Sequence, residues 1–150
     1  MITNLHHVAI LTANLEKAIE FYMELLGCHQ APKIAEVDKP GGKLRSAMLP
    51  IGPRGSTFLQ ILEPEVGPGV KELAEGGEGT LFEMAFQTDD IEGFADRMRS
   101  RGVMPSDIAE QPIHEKYIQS KFGNRYFILP GRQLRSTRIE IVQIMKAEGT

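Results

Sequence analysis

An internal repeat limits what this chain can fold into more than any other feature. Leu5-His6-His7-Val8-Ala9-Ile10-Leu11-Thr12-Ala13-Asn14-Leu15-Glu16 lines up without gaps on Leu81-Phe82-Glu83-Met84-Ala85-Phe86-Gln87-Thr88-Asp89-Asp90-Ile91-Glu92, with Leu, Ala, Thr and Glu recurring in register. Each copy opens as a strand-like run and switches to helical spacing at Asn14 or Asp90. Both residues carry side-chain oxygens that accept from the orphan N–H groups of a first helical turn. The first expected helix places Leu15, Ala18, Ile19, Tyr22, Leu25 and Leu26 on one face and stops at Gly27. The second carries Ile91, Phe94, Ala95 and Met98 and stops at Gly102. Glycine past the last turn is the usual left-handed cap. The closing strands repeat as well, Phe58-Leu59-Gln60-Ile61-Leu62 matching Arg138-Ile139-Glu140-Ile141-Val142.

Further strands are expected at 43–51 and 57–62 in the first half, and at 115–122, 125–129 and 137–144 in the second. A weakly patterned strand is expected near 29–36. Each half then reads as a βαβββ unit. Pro64 to Gly69, a helical turn or two at 70–75, and Gly76-Gly77-Glu78-Gly79 make the connection. The reading is one domain of two modules, about residues 1–63 and 80–145, with 146–150 as a frayed tail. A chain of 150 residues with 41% apolar and 25% charged residues is long enough for a sizeable core and compositionally ordinary. That argues against disorder, a collagen-like repeat or a coiled coil. A net charge of -3 argues against a general nucleic-acid binder, which needs excess Lys and Arg. Cys28 has no partner for a disulfide, and no apolar run approaches the roughly 20 residues of a membrane span. The N-terminus lacks a signal-peptide pattern, so a cytoplasmic protein without nucleic-acid or membrane partners is expected.

A repeat sets equivalent positions against one another, which singles out four polar residues at strand positions. His7 matches Glu83, and Gln60 matches Glu140. Gln60 and Glu140 interrupt otherwise apolar strands, and an unpaired buried carboxylate costs several kcal/mol or takes up a proton. A divalent cation removes that cost. One nitrogen and three oxygen donors suit Zn²⁺, Ni²⁺, Co²⁺ or Mn²⁺ with positions left for water or substrate. The plainer alternatives at this point are a strand histidine donating to a backbone carbonyl and a hydrogen-bonded polar pair inside a sheet. His6 is expected to face away from His7, since strand neighbours alternate. Cys28 follows a helix cap with no charged activator beside it and reads as inert.

Leu5-His6-His7-Val8-Ala9-Ile10, then Leu15-Glu16-Lys17-Ala18 and Phe21-Tyr22-Met23-Glu24-Leu25-Leu26-Gly27, resemble the opening module of the vicinal oxygen chelate superfamily, which includes glyoxalases, bleomycin-resistance proteins and dioxygenases. Leu59-Gln60-Ile61-Leu62-Glu63-Pro64, Gly77-Glu78-Gly79, Asp89-Asp90-Ile91, Gly123-Asn124-Arg125 and Ile139-Glu140-Ile141-Val142-Gln143 resemble its methylmalonyl-CoA epimerase branch most. The resemblance implies an α+β fold of two βαβββ modules forming an open, U-shaped mixed β-barrel-like sheet, often in a homodimer. It also implies a divalent metal at His7, Gln60, Glu83 and Glu140. Two departures follow. Glu83 stands where the epimerases carry a second His, and Arg45 aligns with their catalytic Glu.

The function so implied is a metal-dependent isomerase or lyase acting through a metal-stabilised enolate on a small acyl-CoA or α-keto substrate, as an epimerase does. Glu140, or Glu83 if it is not a permanent ligand, would be the base, and Arg45 would hold an anionic group. Asn124 and Arg125, with the loop carrying Arg132 and Arg135, border the substrate in the family. The alternatives are a glyoxalase I-type lactoylglutathione lyase, or a metal-free small-molecule-binding or resistance protein in which Glu83 faces Arg45. A ring-opening iron dioxygenase fits poorly, since no second His lies at a matching position.

Overall fold

The computed structural model describes residues 1–53, 55–134 and 137–146, so Arg135 and all but Lys146 of the tail expected at 146–150 lie outside the described residues. The element order is β1 (Ile2–Leu11), α1 (Leu15–Leu26), β2 (Ile34–Lys39), β3 (Gly42–Ile51), β4 (Thr57–Val66), α2 (Val70–Gly76), β5 (Leu81–Thr88), α3 (Ile91–Ser100), β6 (Ile118–Gln119), β7 (Arg125–Leu129), α4 (Gly131–Leu134) and β8 (Arg138–Gln143). The fold is α+β, and the chain runs through the βαβββ order twice, the second time with the one-turn α4 ahead of its last strand. The backbone divides into two compact units, His7–Glu83 and Met1–His6 with Met84–Thr150.

In the unit His7–Glu83 the strand order is β2-β3-β4-β1, with β1 parallel to β4 and the other pairs antiparallel. One face of β1, β3 and β4 packs Ile10, Ala47, Leu49 and Ile61 against Leu15, Ala18, Ile19 and Tyr22 of α1. Asn14 caps α1 by accepting from the Lys17 N–H at 3.0 Å, and Gly27 closes it at φ 68°, a conformation that costs glycine little. β4 continues past its expected end because the register shifts between Lys43 and Leu44 where β3 meets Pro64. A proline donates no ladder hydrogen bond, and a bulge is where a sheet accommodates one. A second glycine is demanded by space: a Cβ on Gly67, itself at φ 85°, would sit 2.2 Å from the Gly41 carbonyl oxygen.

In the other unit the strand order is β5-β8-β7-β6, the same order one module later. Ile91, Ala95, Ile113, Phe127, Leu129 and Ile141 form its core, α3 covering one face of β7 and β8. Asp90 caps α3 by accepting from the Gly93 N–H at 2.9 Å. The strand expected at 115–122 shrinks to the two residues of β6. Arg99 accounts for part of this. Its Nη2 takes the carbonyls of Ile113, His114 and Glu115, which a sheet ladder would otherwise use.

Both units share a polar tie that the repeat alone does not announce. Glu63 of β4 accepts from the Leu15 N–H at the start of α1 (2.7 Å), while Arg45 of β3 donates to Glu63 (3.0 Å) and forks onto Glu16 (2.6 and 3.0 Å). At matching positions Gln143 of β8 accepts from the Ile91 N–H (3.4 Å), and Arg125 of β7 lies 3.7 Å from Glu92. A strand acceptor thus satisfies an orphan amide at each helix start, and an arginine of the neighbouring strand lies near an acid in the first turn. Hydrogen bonding from Arg45 holds the exposed Glu16 carboxyl below its ordinary value of 4.5. A depressed carboxyl stabilises the fold above that value and loses the contribution as pH falls through its folded pKa. The stability gap between the natural protein and Arg45→Met, read as urea midpoints against pH, should therefore be full near neutrality and close below pH 4.5.

Candidate metal centre

Strand periodicity sorts the candidate residues before any distance is measured. In the β1–β4 ladder His7 is opposite Phe58 and Ala9 is opposite Gln60, so His7 and Gln60 project from one face. Across the β3–β4 ladder Met48 is opposite Gln60 and Ser46 opposite Leu62, which adds Ser46 and Met48 to that face. It is the face turned away from α1. His7 and Glu83 are each 5% exposed, and His7 Nε2 lies 3.6 Å from Glu83 Oε1. That is beyond the 2.7–3.2 Å of an N–H···O bond. It matches two arms of one coordination sphere, since ligand atoms about 2.0–2.2 Å from a cation at tetrahedral angles stand about 3.3–3.6 Å apart. A buried imidazole nitrogen and a buried carboxylate, with the half-buried Gln60 amide on the same face as His7, fit a borderline divalent cation.

Glu140 belongs to the other unit. It is half-buried on β8 opposite Ile128, while its strand neighbours Ile139 and Ile141 pack toward α3. Arg138 shares its face two residues back and is itself buried, at 8% exposure. Sequence reasoning passed over Arg138 and Ser46. The signal for Arg138 was its match with the apolar Phe58, and for Ser46 its position one residue after Arg45, on the opposite face of β3.

The side chains expected at the substrate have partners of their own. Arg45 projects on the α1 face, opposite to Ser46, and its guanidinium engages Glu16 and Glu63. Glu83 lies beside His7. Arg125 projects toward α3, its guanidinium 4.5 Å from the Tyr117 ring centre. Asn124 accepts from the Met145 N–H at 3.1 Å, tying the β6–β7 turn to the segment after β8. Arg132 reaches the Glu110 carbonyl at 3.3 Å. Cys28 donates to the Pro50 carbonyl at 3.5 Å. An open cleft of about 400 Å³ lies beside α1, lined by Ile10, Thr12, Lys17, Tyr22 and Glu78 among others, with Thr12 and Glu78 bonded to each other at 2.8 Å. It lies on the side of the sheet opposite to His7.

The profile of the Glyoxalase/Bleomycin resistance protein/Dioxygenase superfamily matches residues 4–126. The chain belongs to this superfamily. No protein of curated function matches the sequence significantly. Among solved structures, methylmalonyl-CoA epimerase from Mycobacterium tuberculosis is similar at 24% identity and TM-score 0.75, over 97% of this chain and 90% of that one. A variant methylmalonyl-CoA epimerase from Streptomyces coelicolor, in complex with 2-nitronate-propionyl-CoA, is similar at 23% identity and TM-score 0.70, over 97% of this chain and 100% of that one. A hypothetical protein from Bacillus halodurans C-125 is similar at 21% identity and TM-score 0.71, over 98% of both chains. These likenesses carry the fold. Among the described residues no helix is long and apolar enough to cross a membrane.

Proposed function

We propose that the protein is a metal-dependent enzyme that removes a proton next to a carbonyl, with an acyl-CoA thioester as the substrate class. The observation that carries this is the buried His7–Glu83 pair at 3.6 Å on the face shared with Gln60. His7, Gln60 and Glu83 would hold the cation, and Glu140 is proposed as a further donor only from its match with Gln60 in the sequence repeat. When bound, the cation supplies Lewis-acid stabilisation of negative charge developing on substrate oxygens. Glu140 is the more accessible of the two carboxylates and takes the α-proton, while Glu83, buried against His7, stays a ligand. The epimerase neighbours, one of them described as a complex with methylmalonyl-CoA and NH4+, support the substrate class. Arg45, Asn124 and Arg125 are left out of the proposed site because their side chains are engaged by Glu16 and Glu63, by Met145, and by Glu92 and Tyr117.

The test is solvent deuterium exchange at the α-carbon of acyl-CoA thioesters, with chelator-treated protein and with protein reloaded with Zn²⁺, Co²⁺, Ni²⁺ or Mn²⁺. Exchange is expected only after reloading. Absence of exchange with every thioester and every metal overturns the proposal. Turnover of a hemithioacetal in its place reassigns the site to glyoxalase chemistry, and ligand binding undiminished by chelator assigns it to a metal-free binder.

A further inference from the structure

We infer, resting on the acyl-CoA chemistry proposed above, that the Ser46 hydroxyl is a catalytic hydrogen-bond donor to the thioester carbonyl oxygen as that oxygen becomes an enolate. Ser46 is 7% exposed and projects from β3 on the face of Gln60. Its four nearest neighbours on that face are Leu44 and Met48 along β3, Leu62 across the β4 ladder and Ala35 across the β2 ladder. All four are apolar. A hydroxyl buried among such side chains is costly, and alanine or valine would fill the same place with less penalty. The choice of serine is therefore set by something that meets this face from the side away from the sheet.

Position decides what that is. Leu44, Leu62 and Leu11 close one end of the face together with Leu73 of α2 and Phe82 of β5. Gln60 and His7 lie toward the other end, and Ser46 is the diagonal neighbour of Gln60, about 7–8 Å away between backbones. The hydroxyl thus stands where the apolar end gives way to the polar one. The second module repeats the arrangement with a different residue. Tyr126 of β7 is opposite Val142 as Ser46 is opposite Leu62, and Tyr126 shares the face of Glu140 as Ser46 shares that of Gln60. Serine and tyrosine have little in common in bulk, so what the repeat keeps at this place is the hydroxyl. In the reaction Glu140 takes the α-proton, the C–H electron pair passes onto the carbonyl oxygen, and the Ser46 O–H donates to that oxygen without giving up its proton. Such a bond strengthens as charge gathers on the acceptor.

Calorimetric titration of the metal-reloaded protein with 2-nitronate-propionyl-CoA, a planar anion that copies the enolate, and with propionyl-CoA, whose carbonyl is neutral, tests the assignment. Ser46→Ala should weaken the nitronate at least about tenfold and propionyl-CoA less than about threefold, because the donor favours the charged acceptor. Ser46→Thr, which keeps the hydroxyl, should bind the nitronate within about threefold of the natural protein. In α-proton exchange Ser46→Ala should lower kcat about tenfold with KM little changed. The melting temperature of ligand-free Ser46→Ala should equal or exceed that of the natural protein, since alanine removes a buried hydroxyl from apolar surroundings. Equal nitronate affinity in the natural protein and Ser46→Ala overturns the role of Ser46 and leaves the acyl-CoA reading standing. Both ligands weakened alike, with a lowered melting temperature, makes Ser46 structural and likewise overturns it. Failure of the natural protein to bind the nitronate with any of the four metals overturns both.

Discussion

Replacing His7 by alanine should lower bound Zn²⁺ or Co²⁺, after chelation and reloading, from about one equivalent per chain to less than about 0.2. The reason is the composition of the donor set. His7 is its one nitrogen, and its Nε2 is paired with Glu83 at 3.6 Å in a place where both side chains are below a tenth exposed. Loss of an outer-shell partner alone typically costs 10–100-fold in metal affinity, so loss of a direct ligand should cost more. Metal analysis gives the occupancy, and the melting temperature with and without metal gives the coupling to folding. In the natural protein reloading should raise the melting temperature, since a ligand bound to the native state stabilises it by mass action. In His7→Ala the rise should vanish. Occupancy unchanged in His7→Ala would remove His7 from the metal centre.

The second large effect is expected from Glu83→His, and it is a gain. Two carboxylates and two neutral ligands around a divalent cation make a formally neutral group, whereas a neutral imidazole in place of Glu83 leaves a charge of +1. One charge at about 4 Å interacts with another by about 4 kcal/mol at an effective dielectric of 20. Retaining a third of that in the transition state is worth about tenfold in rate. α-Proton exchange under saturating metal should therefore be about tenfold faster or more in Glu83→His. An equal or slower rate would mean that Glu83 does more than ligate, as the proton acceptor itself.

The fold was legible because its signals are local and repeated. Asn14 and Asp90 announce helix starts through their own side chains, Gly27 announces a helix end, and the match of residues 5–16 with 81–92 shows that the same supersecondary unit is built twice. The elements that were misjudged depend on partners distant in sequence. β6 is short partly because Arg99, a helix residue, takes three carbonyls from the segment before it. β4 is long because a register shift against β3, with Glu65 as the extra residue on β4, accommodates Pro64.

The candidate site divides along the same line. His7, Gln60, Glu83 and Glu140 could be picked out because they are polar interruptions at matching strand positions, a property the chain carries in its order of residues. Which neighbours share their face could not be read that way. A one-residue difference along a strand sends a side chain to the other side of the sheet. Arg45 lies with Glu16 and Glu63 under α1, while Ser46, beside it in the chain, lies on the face of Gln60. Amino-acid order therefore suffices for the two-module α+β fold and the chemistry of its donors, since both follow from short-range patterning. Register, and through it the burial of Arg138 and the engagement of Arg45, is a product of strand pairing between distant segments, and only the tertiary structure supplies it.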